Sequence, residues 1–143
     1  MASGKTIELI RKFNSPAQIV FEAIEKGLLL KSTGIKEETF VHKFCQGGSY
    51  SLEWKSEGRC SGRYVQIVPN QQVEFTWNSV DCKGATNNDT TVTVTLVAHG
   101  NECELKLVHK GLDDGFCYED HLAGWIESLD DFVSDIKKLT PVV

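Results

Sequence analysis

Between Glu37 and Lys110 the apolar residues recur at every second position, again and again, and then the period changes. Ser49 to Lys55 sets Tyr50, Leu52 and Trp54 against Ser51, Glu53 and Lys55. Gln72 to Ser79 sets Val73, Phe75 and Trp77 against Gln72, Glu74 and Thr76. Thr90 to Ala98 sets Val92, Val94 and Leu96 against Thr91, Thr93 and Thr95. Glu102 to Lys110 sets Cys103, Leu105, Leu107 and His109 against Glu104 and Lys106. Period two means strands with one apolar face. The runs are short and joined by turn residues: Gln46-Gly47-Gly48, Glu57-Gly58, Pro69-Asn70 and His99-Gly100-Asn101. That is an antiparallel meander. Thr39 to Cys45 and Arg59 to Val68 read as further strands, and Val80 to Asn88 as a polar loop.

A one-faced sheet needs a cover. From Tyr118 to Leu139 the spacing becomes helical, with Leu122, Trp125, Ile126, Leu129, Phe132, Val133 and Ile136 as the apolar stripe. A helix of about 20 residues is about 30 Å long, enough to cross the whole face. Before the meander, Lys5 to Phe13 alternates as a strand, with Ile7, Leu9 and Phe13 on one side. Ser15-Pro16 reads as a helix start, Ser15 capping and Pro16 at the first helical position. That helix runs to about Lys26 on the stripe Ile19, Val20, Ala23 and Ile24. Leu28 to Thr33 is expected to form a second short helix. The fold class is therefore α+β: a curved antiparallel sheet of six to seven strands around a long C-terminal helix, with two short helices after the first strand. The whole chain, 1–143, reads as one domain.

The charge excludes some functions. A formal net charge of −5 with no basic run does not suit nucleic-acid backbone or anionic lipid. No segment approaches the length of a membrane span and no secretory signal opens the chain, so a cytoplasmic protein is expected. The five cysteines, Cys45, Cys60, Cys82, Cys103 and Cys117, form no CxxC pair and read as reduced thiols, three of them in strand-like segments. No zinc, EF-hand, P-loop or dinucleotide pattern occurs, so neither metal nor cofactor is expected. Asp113, Asp114, Glu119 and Asp120 suit the neighbourhood of a helix N-terminus better than a cation site.

The element order is that of the helix-grip arrangement, and the residues carry a closer match. Asn14-Ser15-Pro16-Ala17 with Val20-Phe21 and Ala23-Ile24 resembles the opening of the START-like, or SRPBCC, superfamily. Gly47-Gly48-Ser49-Tyr50, Gly62-Arg63-Tyr64 and Val73-Glu74-Phe75-Thr76-Trp77 resemble successive strands of one branch. His121-Leu122-Ala123-Gly124-Trp125, followed by Leu129, resembles its C-terminal helix. That branch is related to the C-terminal domain of activators of the ninety-kilodalton heat-shock chaperone. Two departures stand out. Such domains often carry a tryptophan where this chain reads Leu28-Leu29-Leu30-Lys31. The activators also have a separate N-terminal domain, for which there is no room, so ATPase activation in their full manner is not expected.

The resemblance implies a cavity between helix and sheet. The phases above place Tyr50, Trp54, Phe75 and Trp77 toward the helix, where Trp125 and Leu129 face them. With His109, at the end of its strand's inward face, these are the candidate ligand-binding residues. Any one of the aromatics taken alone is better explained by a packed core, and His109 by a histidine bonded to a backbone carbonyl. His42 and His99 read as surface or turn residues, and His121 as a packing or capping partner. The face of Arg63 stays open, because its strand has room for a bulge. No residue is assigned as catalytic or metal-binding. The expected function is binding of a small hydrophobic or aromatic ligand, lipid-like or polyketide-like. A chaperone-associated interaction module is the alternative, and a cyclase- or hydrolase-type enzyme the second. A monomer or weak dimer is the expected state.

Overall fold

The computed structural model describes residues 5–31, 34–56, 58–80, 84, 86–112 and 116–139, the first two of the last segment by backbone only. Seven antiparallel strands form one sheet: β1 (Lys5–Phe13), β2 (Val41–His42), β3 (Ser49–Glu53), β4 (Arg59–Val68), β5 (Gln72–Val80), β6 (Thr86–His99) and β7 (Glu102–Leu112). Their spatial order is β1-β7-β6-β5-β4-β3-β2. Strands β2 to β7 are thus a pure meander, and β1 adds to its far edge beside β7, with Ile7 opposite His109 and Leu9 opposite Leu107. The helix α1 (Ala17–Glu25) carries the chain from one edge of the sheet toward the other. The long α2 (Phe116–Leu139) covers the concave face, packed on β1.

The alternation read from the sequence is the burial observed. Val73, Phe75 and Trp77 of β5 are buried, as are Val92, Val94 and Leu96 of β6 and Cys103, Leu105 and Leu107 of β7. Opposite them, α2 buries Trp125, Leu129, Phe132 and Ile136, spaced at three and four residues so that they share one face. Phe132 meets Phe13 edge-on, ring centroids 5.6 Å apart. Arg11 of β1 reaches Asp130 of α2 at 3.3 Å. The α+β helix-grip expectation is met.

Several details differ from the expectation, each for a physical reason. Among the described residues, α1 is the one α-helix between β1 and β2. Leu28 to Lys31 is a turn, held by Leu28 N–H to the Ala23 carbonyl and Lys31 N–H to the Gly27 carbonyl; Ser32 and Thr33 lie outside the described residues. Gly27 has φ 84°, the left-handed conformation that ends a helix cheaply only at glycine. A 3-10 turn at Glu37–Thr39 is the second helical piece. The N-cap of α1 is Pro16, with extended backbone and no side-chain cap, while Ser15 is buried beside it. Ile126 falls outside the apolar stripe and is exposed, because the stripe turns past it from Leu122 to Trp125 and Leu129. Cys45 is exposed and belongs to no strand; Cys60 and Cys103 are buried thiols, and burial holds Cys103 up at about 11.

The bulge in β4 exists. Its pairing with β5 skips a residue between Tyr64 and Gln66. Tyr64 is buried and Arg63 points outward, its guanidinium donating to the Gly47 carbonyl at 3.2 Å. One residue earlier, Gly62 lies so close to β5 that any Cβ would collide with the Thr76 carbonyl oxygen and the Tyr50 ring. That carbonyl accepts the Tyr50 hydroxyl at 2.6 Å.

Candidate functional site

The candidate residues fall into two aromatic sets on the concave face. In one, Tyr50 and Phe75 meet edge-on at 5.6 Å and both touch Tyr64. Tyr64 in turn joins Phe44 and His42, and its hydroxyl lies 2.7 Å from Nδ1 of His42. His42 is therefore half-buried among rings rather than a surface residue, and burial first, then Lys31, lowers its pKa. Burial raises the phenol pKa values of Tyr50 and Tyr64, so both stay neutral donors.

The other set is built from indoles and imidazoles. Trp54 sits half-buried at the end of the sheet, its ring 6.1 Å from that of Trp77. Trp77 packs on Trp125 at 5.1 Å, on His109 at 5.5 Å and on His121 at 6.0 Å. The two imidazoles are 5.4 Å apart. Leu129 lies one turn beyond Trp125 and is fully buried.

The hydrogen bonds in this set fix every proton of His109. An indole nitrogen can only donate. Trp125 Nε1–H donates to His109 Nδ1 at 2.9 Å, so that nitrogen is unprotonated. Thr90 Oγ1 donates its single hydrogen to the Trp77 carbonyl at 2.8 Å. It must then accept from His109 Nε2–H, also at 2.8 Å. His109 is a neutral Nε2–H imidazole with both nitrogens used. Burial, with His121 beside it, lowers its pKa to about 3. The carbonyl partner foreseen for a buried histidine is present one step removed, through Thr90. By the same reasoning Trp77 Nε1–H donates to His121 Nε2 at 3.1 Å.

Three polar residues here were not among the sequence candidates. Ser79 is buried, with its Oγ 3.4 Å from His121 Nε2. Its signal was legible, since it continues the phase of Val73, Phe75 and Trp77. In the sequence Thr90 marks only the start of a strand. Asn87 lay in what reads as a loop. In the structure β6 begins at Thr86, and its pairing with β5 slips between Trp77 and Ser79: Trp77 faces Thr90 and Ser79 faces Asn87. The extra residue forms a bulge at Asn88 and Asp89. Asp89 takes the left-handed conformation, φ 60°, and its N–H donates to Asn78 Oδ1 at 2.8 Å. Aspartate tolerates that conformation better than most residues. The bulge turns both Asn87 and Thr90 inward, although they are three residues apart. Asn87 is 5% exposed and its Nδ2 has no hydrogen-bond partner among the described residues. Leaving a buried amide donor unmet costs about 1–3 kcal/mol.

A separate, open depression of about 410 Å³ lies between Lys31, Gly34–Glu38 and Lys55. Its lining is mainly charged, and Lys36 pairs with Glu53 at 3.8 Å. No helix among the described residues is long and apolar enough to cross a membrane.

A seven-stranded antiparallel sheet gripping one long helix, its concave face lined by aromatic rings, defines a START-like domain. Residues 14–136 match the family described as activator of Hsp90 ATPase homolog 1-like protein, and the chain belongs to that family. Its fold is shared with protein CV1439 of Chromobacterium violaceum, with TM-score 0.72 and 27% identity over 92% of this chain and 96% of the other. An HSP90 activator of Plasmodium falciparum, PFC0360w, aligns with TM-score 0.67 and 21% identity over 95% and 96%. DynU16, from the dynemicin biosynthetic locus, aligns with TM-score 0.73 and 13% identity over 95% of this chain and 48% of that one. No protein with a curated description matches in sequence.

Proposed function

We propose that the protein binds a small hydrophobic or aromatic molecule, lipid-like or polyketide-like, between the sheet and α2. The observation that carries this reading is the unbroken run of indole rings from half-buried Trp54 through Trp77 to buried Trp125. The N–H groups of Trp77 and Trp125 are tied back to His121 and His109. They offer a ligand their π faces and no competing donor. Ligand sites of this kind are apolar with few polar groups. Tyr50, Phe75 and Leu129 extend the same wall, and His109 serves by holding Trp125 in place. The occurrence of the same fold in a protein of the dynemicin biosynthetic locus is in keeping with a ligand of that type. His109 has no nitrogen free to take a substrate proton, which favours holding a molecule over transforming one.

Native mass spectrometry of freshly purified protein, followed by tryptophan-fluorescence titration with planar aromatic probes, tests this. A co-purified small molecule or saturable quenching is expected. A clean apo mass with no quenching by any probe sinks the reading.

The family match favours a second reading, a chaperone-associated interaction module. Isothermal titration against the purified ninety-kilodalton heat-shock chaperone separates the two. Binding unaffected by substitutions at Trp54 and Trp77 would place the interaction outside the grip.

A further inference from the structure

Besides His109, four inward-facing polar side chains stand at the Trp77 end of the grip: Ser79 of β5, Asn87 and Thr90 of β6, and His121 of α2. Three of them are accounted for within the protein. Thr90 is spent between Trp77 and His109. His121 accepts the Trp77 indole at 3.1 Å, with Ser79 Oγ near the same nitrogen at 3.4 Å. Asn87 is the exception. Its Nδ2 is buried and without a partner among the described residues, directly across the ladder from Ser79. It is not there by default. A regular strand would have turned Asn87 to the outer face, and the bulge at Asn88 and Asp89, pinned by Asn78, brings it in. The left-handed Asp89 and the unmet Asn87 donor thus occur together, at the one place where β6 departs from a regular pairing with β5.

We infer that Asn87, with Ser79 beside it, is the polar subsite of the grip and takes a neutral carbonyl oxygen of the ligand. This rests on the binding reading above. The charge balance selects the carbonyl over a carboxylate. The buried polar residues among those described are Ser15, Ser79, Asn87, Thr90 and His109, with no lysine or arginine. His109 Nδ1 and His121 Nε2 each accept an indole N–H, so neither of these nitrogens has a hydrogen to give a carboxylate. A carboxylate would be buried without a counter-charge, which is far costlier than burying a ketone that meets one N–H. The ligand is thus an apolar, ring-containing molecule with a ketone, quinone or similar carbonyl at the end that reaches Asn87.

The test uses the intact protein and two probes of nearly equal shape, 2-acetylnaphthalene and 2-ethylnaphthalene, titrated by tryptophan fluorescence. One amide-to-carbonyl hydrogen bond in a dry site gives a preference of roughly 3- to 10-fold. The wild type is expected to favour the ketone by that factor. Asn87→Leu, of similar size, is expected to erase the preference while still binding the ethyl compound. In the wild type, the Asn87 side-chain amide resonances should move with 2-acetylnaphthalene and stay with 2-ethylnaphthalene, a readout that needs no variant. Equal binding of both probes, or a preference that survives Asn87→Leu, overturns the subsite alone and leaves the amide to a buried water. Failure of both probes to bind the wild type overturns the binding reading and the subsite with it.

Discussion

Trp125 of the long helix donates its indole hydrogen to Nδ1 of His109 in the sheet, at 2.9 Å. This one bond fixes the tautomer of the histidine and ties helix to sheet at Trp125. It continues through Thr90 to the Trp77 carbonyl. Each member depends on the next, because a buried polar group that loses its partner costs more than the bond contributed.

Thr90 is the joint of that chain. Thr90→Val keeps the shape but leaves His109 Nε2–H facing a methyl group. A loss of about 2 kcal/mol in urea unfolding is expected, against less than about 1 kcal/mol for Thr90→Ser, which keeps the hydroxyl. Equal losses for the two would mean that the hydroxyl bridge contributes nothing.

Acid should weaken the fold through His109. Its pKa is about 3 folded, against an ordinary value of 6.5. Between those values the unfolded chain binds a proton that the folded one refuses. Stability therefore rises with pH through this window and is fully present above about 6.5. Each pH unit below that value costs about 1.4 kcal/mol from this group. Chemical denaturation at pH 7.5 and pH 5 should differ by about 2 kcal/mol on its account, and His42, also lowered, adds in the same direction. In His109→Gln the difference should shrink by most of that amount. Parallel pH profiles for the two proteins would contradict the assignment.

Two glycines should respond in opposite ways. At Gly62 a side chain would strike the β5 backbone at Thr76. Gly62→Ala is expected to cost roughly 3 kcal/mol and to shift the Tyr50 ring resonances. Gly124, on the exposed face of α2, has open space around it. Gly124→Ala is expected to stabilise by about 0.5–1 kcal/mol, seen as a higher Tm. A neutral Gly62→Ala would show that β4 and β5 can part there without loss.

The ion pair between Arg11 and Asp130 joins β1 to α2, yet both partners are partly or largely exposed. Asp130→Asn should cost no more than about 0.5 kcal/mol, and less as salt is added. A loss of several kcal/mol would make this pair, rather than the apolar seam, the clasp of the grip.

Most of the architecture follows from local pattern. The alternation in Ser49–Glu53, Gln72–Val80 and Glu102–Leu112 fixes which residues face the core, because a strand has period two and only one face is covered. The spacing of Trp125, Leu129, Phe132 and Ile136 fixes the face of α2 in the same way. Tyr50, Trp54, Phe75, Trp77, His109, Trp125 and Leu129 could therefore be placed on the concave side from sequence alone. Only the tertiary structure decided how they are used. It divided the rings into two sets and joined His109 to a tryptophan that lies 16 residues further along the chain. Asn87 was hidden for a related reason. Its direction depends on a register slip between two strands, and a slip of one residue reverses the face of everything beyond it. Periodicity is a property of a segment, whereas register and partnership belong to pairs of segments, so they appear only once the chain has folded.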